Sequence, residues 1–415
     1  MKGFWENIRK RPAAQDRSFF MARQPIFDRD MRLTGYELLY RRSGDARGSQ
    51  IDSEAELAAL ANVLVEVGLD RLAPRTKAFV NVPASLLGSD ALMLLPRNQV
   101  VLEILEDTPW SRSVERHLGE LGKAGYTLAL DDYLFGAEHE PFLDHVDIIK
   151  VDVLGMNPDR LKAKMRELRR AGKTYLAEKV ETHSTMQYCR SLGFEFFQGY
   201  FIAEPKVIKG TGIPANHALS IALLARLNDP KASLEELERM LAGNVVLTHK
   251  VLRLVNSVEM ALPQRIDSIR QALLFLGIDK VRTLATLAVT TAIRGKTPEL
   301  YAMAIIRANY CEALAKSVGY ADPGKHFMVG LLSVLEALTD VPMRSLVEEL
   351  PLSSEIAAAL TGDAPKSQCA TTLRHVLAVE HGNWKAADAA IRGVPASLYM
   401  DAVGRAKRDE QLLAA

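Results

Sequence analysis

The chain has 415 residues, which at roughly 100–200 residues per domain predicts two or three domains and excludes a single small module. Hydrophobic residues make up 48% and charged residues 25%, so there is enough apolar material for packed cores, and wholesale disorder is excluded. Lys plus Arg total 52 against 51 Asp plus Glu, a net charge of +1 that lacks the overall basic footprint of a nucleic-acid binder, and no DNA partner is expected. The three cysteines, Cys189, Cys311 and Cys369, form no C-x-x-C pair, which predicts neither a zinc site nor a disulfide framework and fits a reducing compartment. Residues 1–18 lack the apolar core of a signal peptide and read as a lead-in. No apolar run approaches the roughly 20 residues that span a bilayer, so the expectation is a cytoplasmic protein with no membrane partner.

In chain order, the pattern from 19 to 206 alternates short β-rich runs with longer amphipathic stretches, as βα units around a parallel sheet do. Two extended segments, 22–27 and 33–40, flank the turn-like Asp28-Arg29-Asp30 and predict an opening hairpin. Further strands are predicted at 78–82, 100–104, 127–130, 147–151, 174–177 and 194–197, with helices at 53–67, 111–124, 158–171 and 184–192. A linker rich in Gly and Pro is predicted at 206–214. Beyond it strand-like alternation disappears, and helices are expected at 218–227, 245–256, 268–276, 280–293, 300–318, 326–338 and 372–381, with a Ser233-x-x-Glu236 capping box. The organisation expected is a lead-in (1–18), an α/β barrel (19–206) and an all-α domain (207–415).

Nearly every predicted strand ends in a polar residue that is costly to bury alone: Glu37, Asn81, Glu103, Asp131 with Asp132, Lys150, Glu178 and Gln198. From Asn81 onward the intervals are 22, 28, 19, 28 and 20 residues, each about one strand, one helix and two loops, so the same end of each strand is presented. In a β/α barrel those ends converge on one face. Four or five carboxylates held near one point repel one another unless a cation neutralises them, and hard oxygen ligands suit Mg²⁺ or Mn²⁺. The adjacent pair Asp131-Asp132 fits a carboxylate site bridging two ions for phosphoester hydrolysis, with Lys150 binding phosphate or orienting water. Taken one at a time, each of these residues also fits a strand-end carboxylate that caps the next helix or pairs with a nearby Lys.

The motifs Gln24-Pro25-Ile26, Gly35-Tyr36-Glu37-Leu38-Leu39-Tyr40-Arg41, Asn81, Leu102-Glu103-Ile104-Leu105-Glu106, Leu130-Asp131-Asp132, Ile149-Lys150-Val151-Asp152, Ala177-Glu178-Lys179-Val180-Glu181-Thr182 and Gln198-Gly199-Tyr200 stand in this order. The segment 19–206 thereby resembles EAL domains, TIM-like β/α barrels that hydrolyse cyclic-di-GMP to linear pGpG. The resemblance implies two ions, Mg²⁺ or Mn²⁺, held by Glu37, Asn81, Glu103, Asp131 and Asp132. It implies catalytic roles for Lys150, Glu178 and Gln198, substrate contacts for Gln24 and Arg41, and Glu106 as the anchor of the loop after the double aspartate. Two departures stand out. Leu38 replaces the small central residue of the signature and is expected to put bulk beside Glu37. The loop Tyr133-Leu134-Phe135-Gly136-Ala137-Glu138-His139-Glu140-Pro141 lacks the family's Gly/Ser pattern.

The phrases at 244–257 and 266–277 are similar to HDOD domains, helical output modules related to metal phosphohydrolases of the HD type. Gly330-Leu331-Leu332-Ser333-Val334 stands where those hydrolases carry adjacent His and Asp, so no second hydrolase site is expected. His217, His249, His326, His375 and His381 show no ligand spacing. Two readings stay open at this point. One is a metal-dependent cyclic-di-GMP phosphodiesterase with the HDOD half as regulatory or output module. The other is an inactive barrel acting as cyclic-di-GMP receptor or protein scaffold. Either way the HDOD half is expected to meet an unidentified signalling protein, and a homodimer is expected through the altered loop.

Overall fold

The computed structural model describes residues 19–42, 69–73, 76–133, 135–168, 172–202, 215–229, 231–257, 260, 262–293, 296–395 and 397–414. The predicted lead-in, the helix at 53–67 and the linker at 206–214 lie outside the described residues.

Eight strands close into one barrel in sequence order: β1 Phe19–Asp28, β2 Leu33–Arg42, β3 Lys77–Val82, β4 Val100–Ile104, β5 Thr127–Leu130, β6 Ile148–Asp152, β7 Thr174–Glu178 and β8 Phe196–Gln198. β1 runs antiparallel to both β2 and β8, and every other neighbour is parallel, as the predicted opening hairpin requires. Among the described residues the helices between strands are α1 Leu69–Leu72, α2 Arg112–Lys123, α3 Pro158–Leu168 and α4 His183–Ser191. Side chains cap their starts where the sequence offers them: Ser111 accepts from Val114 N, and Thr182 from Thr185 N.

A strand turns every second side chain to the same face. Ile26, Phe79, Val101, Ala129, Ile148 and Leu176 form a buried apolar layer inside the barrel, with Phe196 packed against it. The alternate residues, among them Leu38, Val80, Leu102, Leu128, Ile149 and Ala177, build the outer core beneath the helices. Leu38 is therefore fully buried on the opposite face from Glu37. This corrects the expectation that its bulk crowds that carboxylate, because a one-residue offset in a strand changes the face.

The C-terminal half is helical: α5 Ala215–Asn228, α6 Leu234–Ala242, α7 Val245–Val255, α8 Ile269–Leu276, α9 Ile278–Thr290, α10 Pro298–Ser317, α11 Pro323–Leu332, α12 Leu335–Thr339, α13 Met343–Glu349, α14 Ser354–Thr361, α15 Gln368–Glu380, α16 Trp384–Ala390 and α17 Ser397–Ala414. Of the predicted capping box the Ser233 half forms, its hydroxyl accepting from Glu236 N, while the Glu236 carboxylate pairs with Arg226. The helix expected over 326–338 is instead α11 and α12. It breaks at Ser333, whose hydroxyl donates to Gly330 O while accepting from Arg307 Nη1. Gly330 makes this possible: a Cβ there would lie 2.4 Å from Arg307 O, so only glycine lets α11 press against α10 this closely.

β1 and β2 are ten residues long, whereas the other strands have three to six, and the excess overhangs the barrel mouth. The face that carries Ile26 inside the barrel carries Ala22 on the overhang, and Ala22 is fully buried in the core of the helical half. Leu39 packs there too. The helical half is thus docked at the end of the barrel where the polar strand ends emerge.

Candidate active site

The polar ring follows from the apolar layer by adding two residues. Asn81 lies two beyond Phe79, Glu103 two beyond Val101, Asp131 two beyond Ala129, Lys150 two beyond Ile148, Glu178 two beyond Leu176 and Gln198 two beyond Phe196. On the antiparallel β1 the direction reverses, so Gln24 stands two before Ile26 and pairs in register with Glu37. The ring at the carboxyl ends of the strands is a consequence of one register repeated around the barrel.

Lys150 is its centre. Its ammonium, with no exposed surface, lies 2.6 Å from Glu103 Oε1, 2.6 Å from Asp131 Oδ1, 2.9 Å from Glu178 Oε1 and 3.4 Å from Glu37 Oε2. Burial alone would push its pKa down. The four carboxylates together outweigh burial and hold it well above the usual lysine range. Burial drives the Glu103 and Glu178 carboxyls well above the usual range; Lys150 opposes this, and the neighbouring carboxylates add to it.

Amides and hydroxyls fix the rest. Asn81 Nδ2 reaches Glu37 Oε1 at 3.4 Å, and Tyr40 donates to the Asn81 carbonyl at 2.6 Å. Gln198 Nε2 donates to Glu37 Oε2 at 2.6 Å and to Gln24 Oε1 at 2.8 Å. Gly199 lets the chain turn away directly after Gln198, at φ +146°, where a Cβ would strike the Val180 carbonyl at 2.2 Å. Arg41 lies in β2, and its side chain is outside the described residues.

Asp132 departs from the ring. It sits at φ +39°, as Lys179 does at φ +53°, and Lys179 Nζ bridges Asp132 at 3.3 Å and Asp152 at 2.6 Å. Strained backbone of this kind persists only where surrounding structure holds it. The altered loop is held by an aromatic cluster: Tyr133 packs on Phe135 at 5.0 Å and near His139 at 5.8 Å. His139 Nε2 donates to the backbone carbonyl of Glu106 at 2.9 Å, so the tie between Glu106 and this loop runs through its main chain.

The donor chemistry of the ring fits a hard divalent cation. Asn81 Oδ1, Glu103 Oε2, Glu178 Oε2 and Gln198 Oε1 are buried oxygens with no hydrogen-bond partner, a costly state that oxygen ligation relieves. As the described residues stand, no group of three or more His, Cys, Asp or Glu side chains is spaced to hold an ion; the carboxylates converge on the Lys150 ammonium. The helical half supplies no alternative centre. His326 is hydrogen-bonded to Thr372, and His375 to Tyr310 and the Ala387 carbonyl. Ser333, at the position of the expected gap in the hydrolase motif, is engaged by Arg307. The three cysteines are buried free thiols.

A cleft of about 410 Å³ opens over the ring, lined by Glu37, Asp131, Glu178 and Gln198 on one side and by Glu299, Met303, Ile306, Glu380, His381 and Tyr399 of the helical half on the other. Tyr36 donates to Glu299 Oε2 at 2.6 Å, and the Tyr200 and His381 rings lie 5.6 Å apart across the boundary. The sequence assigned no site role to these helical-half residues, nor to Lys179 and His139. Among the described residues no helix is long and apolar enough to cross a membrane.

The family model for EAL domains matches residues 6–205, and that for HDOD domains matches residues 213–381. The chain is 34% identical over 348 residues to the cyclic di-GMP phosphodiesterase CdgJ of Vibrio cholerae, covering 82% of this chain and 80% of that protein. It is 31% identical over 375 residues to the uncharacterized protein YuxH of Bacillus subtilis, covering 88% of this chain and 91% of the other. Among solved structures, a standalone EAL protein from Vibrio cholerae O395 in its c-di-GMP-bound form matches with a TM-score of 0.38 at 21% identity, over 46% of this chain and 93% of that one. The chain belongs to the family of proteins that join an EAL domain to an HDOD domain.

Proposed function

We propose that the protein is a metal-dependent cyclic-di-GMP phosphodiesterase that opens one phosphodiester bond to give linear pGpG. The observation that carries this reading is the convergence of Glu37, Asn81, Glu103, Asp131, Lys150, Glu178 and Gln198 on one barrel mouth, with four buried oxygens left without partners. The likeness across both halves to a relative named as a cyclic di-GMP phosphodiesterase supports it.

Glu37, Asn81, Glu103, Asp131 and Asp132 would hold two Mg²⁺ or Mn²⁺ ions. Bound there, the ions lower the pKa of water and neutralise charge developing on phosphate. Lys150 Nζ would orient the attacking water or meet the phosphate, and four carboxylates hold its charge at the centre of the ring. Gln198 presents Oε1 as an acceptor for a water proton, since its amide nitrogen is committed to Glu37 and Gln24. Glu178 Oε2 offers a second acceptor. Gln24 and Arg41 would contact the nucleotide, and the helical half contributes one wall of the cleft.

In this reading the barrel is residues 19–206 and the HDOD half 207–415, acting in the cytoplasm as a regulatory or output module toward a signalling protein, with a homodimer formed through the loop at 133–141. One observation favours a receptor reading instead: Lys179 neutralises Asp132, the residue needed for a second ion. Incubating the purified protein with cyclic-di-GMP and Mn²⁺ and following pGpG by chromatography decides between them. Product that disappears in Glu37→Ala establishes the enzyme; saturable nucleotide binding with no product makes the barrel a receptor.

A further inference from the structure

Helix α15 ends at Glu380, and the last carbonyls of a helix have no partner within it. The Glu380 carbonyl is instead met by Gln24 Nε2 of β1 at 2.8 Å, a contact between residues 356 apart in sequence. A carbonyl only accepts, so the Gln24 amide must turn its NH₂ to the helix end and its oxygen toward the barrel. That oxygen accepts from Gln198 Nε2 at 2.8 Å, and the same nitrogen donates to Glu37 Oε2 at 2.6 Å. Gln198 Oε1 is thereby left facing the site without a partner. Two acceptors, this main-chain carbonyl of the helical half and the Glu37 carboxylate, therefore bracket the two amides and together set their polarity.

The helix end is itself clamped. Arg307, 1% exposed in the middle of α10, donates from Nε to both Glu380 oxygens at 3.0 Å and from Nη2 to Glu380 Oε2 at 2.7 Å, while Nη1 holds Ser333 Oγ at 3.2 Å. Arg307 also interacts with Tyr200, which follows Gln198 by two residues. Gly330 brings α11 against the Arg307 main chain, so α10, α11 and α15 meet at this guanidinium.

We propose that Arg307 and Glu380 are positioning residues for the barrel's site: their ion pair fixes the end of α15, which orients Gln24, Gln198 and Glu37. A partner that shifts α15 or α10 thereby weakens metal binding and turnover without touching the ring. The kinetic part of this proposal rests on the phosphodiesterase reading; the metal-binding part does not.

The test is a double-mutant cycle on the full-length protein, with Mn²⁺ affinity measured by calorimetry. Arg307→Lys keeps the charge but cannot fork onto two carboxylate oxygens. Gln24→Met removes the middle link at similar size. Outer hydrogen-bonding partners of metal ligands are worth about 10–100-fold in affinity. Each single variant is expected to weaken Mn²⁺ about tenfold and the double variant by about the same tenfold, because both cut one chain. Arg307→Lys is also expected to lower kcat while KM for cyclic-di-GMP changes less than twofold. Wild-type affinity in Arg307→Lys, or a double variant that loses about 100-fold, overturns the relay. Should Arg307→Lys fail to fold, Glu380→Gln in the same cycle decides by the same criterion. A wild-type protein that makes no pGpG yet shows the non-additive cycle leaves the relay standing and removes the phosphodiesterase reading.

Discussion

Replacing Lys150 with methionine keeps the length of the side chain and removes the one cation that touches Glu103, Asp131, Glu178 and Glu37 among the described residues. Deleting one partner of a buried ion pair costs about 3–5 kcal/mol, because an uncompensated charge is left behind. At about 2–4 °C per kcal/mol for a domain of this size, the melting temperature in EDTA at pH 8 should fall by about 6–20 °C. The pH dependence carries a definite sign. Glu103 and Glu178 have folded-state pKa values raised above the ordinary 4.5, so the stability they confer is present at low pH and is lost as pH rises from there. Lys150 is the group that opposes the rise in both. Without it they rise further, so the variant's deficit should be larger at pH 8 than at pH 5.5. Lys150 itself, with a pKa raised above 10.5, is charged at both pH values and contributes no slope between them. Mn²⁺ at 100 times its dissociation constant should return about 2.7 kcal/mol. Thermal melts at the two pH values, with EDTA or Mn²⁺, read all three effects. A variant that melts like wild type in EDTA at pH 8, or whose deficit grows as pH falls, would refute the reasoning.

Two further outcomes follow from the same structure. Glu410 of α17 has its pKa pushed up to about 7 by burial and by Glu299, with Arg23 opposing. Its contribution to stability is thus present below pH 4.5 and lost as pH rises to about 7. Glu410→Gln should be more stable than wild type at pH 8, by at most about 3 kcal/mol given its partial exposure, and should flatten the profile between pH 4.5 and 7 in denaturant melts. Gly199→Ala must shift the main chain beside Val180 and so displace Gln198; Mn²⁺ affinity measured by calorimetry should fall at least tenfold while circular dichroism stays helical.

The ring was legible because two periodicities coincide. A strand places every second side chain on one face, and each strand, helix and loop set consumes a similar length of chain, so Asn81, Glu103, Asp131, Lys150, Glu178 and Gln198 announced themselves by spacing. The same periodicity, applied to Leu38, corrects its expected place beside Glu37: one residue along a strand is the other face. The break at Ser333 escaped the pattern, since 326–338 keeps helical spacing throughout and only the approach of α10 at Gly330 and the pull of Arg307 on Ser333 end the helix.

By itself the sequence determined the order of the barrel's strands, the polar set at the barrel's carboxyl end and the change to an all-helical half, all of which are local or periodic. Only the tertiary structure decided which cation neutralises which carboxylate. Lys150 and Lys179 stand 29 positions apart with the same charge, yet one faces four carboxylates and the other binds Asp132 and Asp152. It alone also decided that the helical half closes the catalytic mouth. One of the contacts that do so, Gln24 to the Glu380 carbonyl, uses a main-chain oxygen that every residue possesses and spans 356 residues, so no side-chain pattern encodes it. Its existence depends on where a helix ends in space, which is settled by packing around Arg307.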